Sequence, residues 1–142
     1  MRCEEMFRST EFKVVDSTRD IDAGVLAELD AFLDLPGMAD PSEPYDQGCK
    51  RMPGVPSRKL TFAGKAKRHA FVLYEAGGFA VMRYLTVFDV SQKKPRIVWH
   101  GQFGMEDNPK NLDDLKKLVA AGKIIDHKKL GEHECSDEEQ AH

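Results

Sequence analysis

Four side chains carry the chemistry that could make a ligand site in this chain: Arg83, His100, Gln102 and Tyr74. A guanidinium offers a planar fork of donors that fits a carboxylate or phosphate, and an imidazole beside it can move a proton near neutral pH. Tyr74 and Gln102 would add neutral donors and acceptors around the same ligand. Arg83 and His100 also fit a plainer reading, an arginine paired with a structural acid and a histidine at a strand end. The chain has no Gly-x-Ser-x-Gly elbow to supply a nucleophile. Gly64-Lys65-Ala66 lacks the upstream glycine and the hydroxyl of a phosphate-binding loop.

A second group is cationic. Residues 47–74 hold seven basic side chains and no acid, whereas residues 1–46 hold twelve acids against four bases, within a net charge of −3. The basic stretch either pairs with the acidic N-terminal part or forms an anion-binding surface for nucleic acid, with Lys65, Lys67 and Arg68 at its centre. His127, His133, Cys135 and His142 have no zinc-type spacing, so neither a metal nor another cofactor is expected. Three cysteines without a Cys-x-x-Cys pair predict free thiols in a reducing cytoplasm.

The elements that must position these residues follow from the hydrophobic pattern. A chain of 142 residues, 41% hydrophobic and 32% charged, fits one globular core. Residues 1–5 are acidic where a secretory signal would be apolar, and the apolar runs reach only about five residues, so no membrane association is expected. Phe7–Val15 reads as an edge strand. Ile21, Val25, Leu26, Leu29, Phe32 and Leu33 form one apolar face of a helix over about residues 20–34, ended by Pro36-Gly37. Residues 36–56 hold five of the seven prolines and read as one long loop. Four strands follow over residues 57–103. A helix over about 110–122 opens at Pro109 or Asn111 and closes at Gly122. The domain therefore spans 1–125, followed by an acidic, flexible tail over 126–142.

If Gly77-Gly78 forms a two-residue hairpin loop, Ala76 pairs with Phe79, Tyr74 with Val81 and Val72 with Arg83. A turn near Gly64–Lys67 sets Phe62 beside His69 and Leu60 beside Phe71. A turn at Ser91–Lys94 sets Asp89 opposite Arg96 and Val87 opposite Val98. Even-length loops then sort the side chains by strict alternation. One face holds Leu60, Phe62, Phe71, Leu73, Met82, Tyr84, Phe88, Ile97 and Trp99 and is the core under both helices. The other holds Lys59, Ala70, Val72, Tyr74, Val81, Arg83, Leu85, Val87, Val98, His100 and Gln102. This second face is too apolar for water and too polar for a core.

Lys67-Arg68-His69-Ala70-Phe71-Val72-Leu73-Tyr74 resembles the RNP1 strand of RNA-recognition motifs. The resemblance implies that His69 and Phe71 stack on bases while Lys67 meets a phosphate. Arg68 stands where that motif has glycine, a hairpin follows where that fold has a helix, and Phe71 is needed for the core.

The expected fold is α+β: a mainly antiparallel sheet of four or five strands, with both helices packed on one face. The expected function is a small cytoplasmic binding or interaction module that forms a homodimer through the second sheet face, with no catalytic residues. The alternative is an enzyme or small-anion binder using Arg83 and His100. Nucleic-acid binding through the basic stretch ranks third.

Overall fold

The computed structural model describes residues 3–33, 37–46, 55–77 and 81–126. In chain order the elements are α1 (Cys3–Ser9), β1 (Lys13–Val15), α2 (Ala23–Leu33), β2 (Arg58–Lys65), β3 (His69–Ala76), β4 (Met82–Asp89), β5 (Arg96–Phe103), α3 (Leu112–Ala120) and β6 (Ile124–Asp126). The six strands form one antiparallel meander in the order β1-β2-β3-β4-β5-β6. The α+β class and the antiparallel meander are as the sequence predicts. Two elements are not: residues 3–9 are helical, leaving only Lys13–Val15 of the expected edge strand, and β6 adds a strand before the tail.

The placement of the helices differs too. On one face Phe62, Phe71, Leu73, Leu85, Val87, Trp99 and Phe103 pack with Met6 and Phe7 of α1 and Leu115 and Val119 of α3. On the other, Leu60, Ala63, Val72, Tyr74 and Phe88 pack with Ile21, Val25 and Leu29. The helix expected at 20–34 and the one at 110–122 thus lie on opposite sides of the sheet, not on one. No bare apolar sheet face is left among the described residues to serve the expected homodimer.

Three odd-numbered offsets explain the difference. β3 ends at Ala76 and β4 begins at Met82, so the connection has five residues, and Leu73 pairs with Leu85 and Tyr74 with Tyr84. An odd loop inverts every side chain of β4 relative to the two-residue register. A bulge between Leu60 and Phe62 sends these two residues to opposite faces. Another irregularity, between Val87 and Phe88, leaves Val98 unpaired and separates Ile97 from Trp99. Asp89 does lie opposite Arg96, joined by an ion pair of 3.6 Å, as the charge pattern predicts.

The caps of α3 are legible residue by residue. The Asn111 side chain accepts from the Asp114 N–H at 2.9 Å, satisfying one of the helix's orphan donors. At the other end Gly122 has φ +70°, with its N–H on Val119 and the Lys123 N–H on Leu118, the pairing that ends a helix in a left-handed residue. Pro36 lies outside the described residues, but Gly37 beyond α2 also has positive φ, at +89°. The expected loop is partly structured: Ala39 bridges to Lys59, donating to the Arg58 carbonyl and accepting from the Leu60 N–H, both at 2.9 Å. That contact covers the half of β2 that β1 is too short to reach.

Cys3 is disulfide-bonded, which corrects the expectation of free thiols; Cys49 and Cys135 both lie outside the described residues. Among those residues no helix is long and apolar enough to cross a membrane.

Phe71 closes over Gly64, and its ring meets Phe12 and Phe62 edge-on and Phe7 at a tilt. A Cβ at position 64 would lie 2.2 Å from the Phe71 ring, which is held on its other sides. Gly64→Ala should therefore lower stability by about 1–3 kcal/mol through overpacking. Urea unfolding followed by the single tryptophan checks this, and an unchanged midpoint would contradict the packing.

Candidate functional site

Three of the four ligand-site candidates come together. Cross-strand pairing puts Tyr74, Tyr84 and Gln102 in one row, with Val72, Thr86 and His100 in the next, all facing α2. Arg83 is sent to the other side of the sheet by the five-residue connection. There it lies opposite Glu75, whose carboxylate accepts from the Tyr45 hydroxyl, and Lys59 sits over the Tyr45 ring at 5.5 Å. The pairing of Arg83 with His100 is therefore corrected: β3–β4 register separates them by the thickness of the sheet.

The arginine on the Tyr74 side is Arg58, which sequence reading counted only as part of the basic stretch. Its Nη2 reaches Asp30 of α2 at 3.0 Å and the Gly37 carbonyl at 2.8 Å, and its guanidinium lies 6.0 Å from the Tyr74 ring centroid. It is 2% exposed. A buried guanidinium must be paired, and this one clamps the end of α2 to the start of β2. The early signal was its position: Arg58 precedes Leu60 by two residues, although only the paired register reveals which face the bulge leaves it on.

Tyr74, Thr86 and His100 are 2%, 0% and 3% exposed. The Tyr74 hydroxyl is hydrogen-bonded to Thr86, and Thr86 Oγ1 lies 2.9 Å from His100 Nδ1. A threonine hydroxyl has one proton to give. The Thr86 contact lowers the Tyr74 pKa, the sense given by Thr86 donating to the Tyr74 oxygen, so Thr86 Oγ1 is then the acceptor for the Nδ1–H of His100. Tyr84 stacks between the other two rings, 5.5 Å from Tyr74 and 6.0 Å from His100, and Phe32 meets His100 edge-on. Closed off by aromatic rings and satisfied internally, this network does structural work: it fixes the register of three strands in the core.

The cationic candidates lie elsewhere and are open to solvent. Lys67 and Arg68 form the β2–β3 turn, Lys65 ends β2 opposite Lys13 of β1, and Lys93 lies in the β4–β5 turn. The two turns are joined by the Val90 N–H donating to the Arg68 carbonyl at 2.8 Å. Lys13, Lys67, Arg68 and Lys93 are exposed and Lys65 is half-buried. None of the five forms an ion pair among the described residues. Two acids nearby are engaged: Glu28 holds Lys94 at 3.3 Å, and buried Asp89 holds Arg96 and accepts from both the N–H and the hydroxyl of Ser91. Asp22 and Lys65 both line a small depression with about 10 Å³ of free space. Phe71 is buried under α1 and is not available for the stacking that the RNP1 resemblance implies, while His69, its expected partner, is half-buried at the start of β3.

Among the described residues no three His, Cys, Asp or Glu side chains could hold a metal ion, and His127, His133, Cys135 and His142 lie outside them.

All three tyrosines are held protonated beyond their ordinary range. Burial raises Tyr45, Tyr74 and Tyr84; Glu75 raises Tyr45 further, and Thr86 and Arg58 only partly offset the rise at Tyr74. A raised folded-state value means that the folded protein binds more protons than the unfolded chain above pH about 10. Stability from these groups is complete below that pH and is lost as pH climbs through it. Absorbance titration should show no tyrosine ionising at the ordinary value in the folded protein, with phenolate appearing together with alkaline unfolding. A tyrosine titrating normally while the fold persists would contradict the burial.

Comparison with protein-family models, with curated proteins and with solved structures finds no match, so the geometry of the site stands by itself.

Proposed function

We propose that this chain is a binding module whose working surface is the cationic turn end of its sheet, and that this surface engages the phosphates of a nucleic acid without reading its bases. The observation that carries the reading is the convergence of Lys13, Lys65, Lys67, Arg68 and Lys93, from three separate stretches of chain, without ion-pair partners among the described residues. Unpaired cations on turns stay hydrated and available, and a phosphate backbone repays each contact by releasing counterions. The rings near this end are taken, among the described residues: Phe71 is core, Phe12 packs on it, and His69 is half-buried and already engaged. Contacts would therefore be to phosphate alone, which positions a duplex but specifies no sequence.

The other two readings lose their motive. Self-association needed a bare apolar face, and α1 and α3 cover one side of the sheet while α2 covers the other. A small-anion site needed Arg83 beside His100, and the sheet lies between them. The compartment turns on Cys3, because a disulfide is the form that oxidising surroundings maintain, against the cytoplasmic expectation.

Fluorescence anisotropy with a short labelled duplex tests the reading. Five phosphate contacts predict a log-log salt slope of up to about 4.5, with micromolar or weaker affinity at physiological salt. Replacing Lys67 and Arg68 with glutamine should lower that slope by about 2. No binding at low salt, or an unchanged slope in the double variant, would overturn it.

A further inference from the structure

The net charge of this protein is not spread over it. Residues 1–126 hold nineteen acidic and nineteen basic side chains, so the whole of the −3 belongs to residues 127–142. Five acids, Glu132, Glu134, Asp137, Glu138 and Glu139, fall within eight residues there. The number matches the five cations of the turn end that form no ion pair among the described residues.

The direction of the chain brings the two together. β6 pairs antiparallel with the end of β5, Ile124 against Phe103 and Asp126 against Gly101. Since β5 runs from the cationic end at Arg96 toward Phe103, β6 runs back toward it. The backbone of β6 thus heads along β5 toward the β4–β5 turn that carries Lys93. Five strand residues separate the level of Gly101 from that of Arg96, about 17 Å. The eight residues from His127 to Glu134 can span about 26 Å when extended, enough to bring the start of the acidic run to the β4–β5 turn that carries Lys93.

We propose that the acidic segment 132–139 is an internal ligand of the cationic turn end, occupying the place of nucleic-acid phosphates. The inference rests on the phosphate-binding reading of that surface and adds its regulation. A tethered segment competes at an effective concentration near millimolar, enough to weaken an outside ligand even when each carboxylate–lysine contact is slight. A nucleic acid would then bind by displacing the segment, and anything that draws the segment away would open the surface.

The test uses the full chain with Glu132, Glu134, Glu138 and Glu139 changed to glutamine and Asp137 to asparagine. Affinity for the labelled duplex at low salt should rise by about 3- to 10-fold. Carbodiimide, which joins touching carboxylates and lysines, should cross-link Glu138 or a neighbouring acid of the native chain to Lys65, Lys67 or Lys93. Binding by the native chain with no gain in the neutralised one would refute the internal ligand and leave the surface standing. A gain in affinity without those cross-links would refute it as well, because relief of net charge would then suffice. Absence of binding in both chains would fell the surface itself.

Discussion

Leu73 stands opposite Leu85, and that pairing decides on which side of the sheet the rest of the meander lies. With it Leu85 and Val87 go under α1 and α3, Thr86 and Phe88 go under α2, and Arg83 is parted from His100. A shift of one residue would bury Arg83 against α2 and push Leu85 out of its core. Each helix depends on the same choice, because each covers only the apolar residues this register supplies. The hydrophobic pattern admits two registers for β4, since both of its faces carry apolar side chains; packing on both sides selects one.

A sheet covered on both faces hides polar residues, and two groups of them on the α2 side are held locally. Arg58 is held by Asp30 and Gly37, and Tyr74, Thr86 and His100 complete one another. These contacts link α2 and strands β2 to β5 into one unit. The surface left for a partner is where the strands turn. Hairpins β2–β3 and β4–β5 end side by side, tied by one backbone hydrogen bond, and carry cations that no strand pairing consumes.

Much of this was legible in advance. Strand positions between residues 57 and 103, the Asp89–Arg96 pair, the Asn111 and Gly122 caps and the α2 stripe all follow from local rules that tertiary contacts do not alter. What was not legible depends on counting. Two bulges and one odd connection each change parity by one residue, and no local residue type marks them: Thr61 and Val98 are ordinary strand formers, and Gly77-Gly78 permits a tight loop without requiring one. The first candidate site failed for that reason alone, since Tyr74, His100 and Gln102 did converge and Arg83 did not. Residues 3–9 were missed because a seven-residue helix has too few turns to display a period. The cationic group survived because turns keep their place whatever the parity.

The central claim is that the turn end, and not the aromatic network or either sheet face, meets the partner. Amide shift mapping of the labelled protein during titration with a short DNA duplex tests it most directly. The shifts should concentrate at Lys13, Lys65–His69 and Val90–Arg96 and fade with added salt. Shifts centred on Met82, Tyr84 and Gln102, or none at low salt, would contradict it.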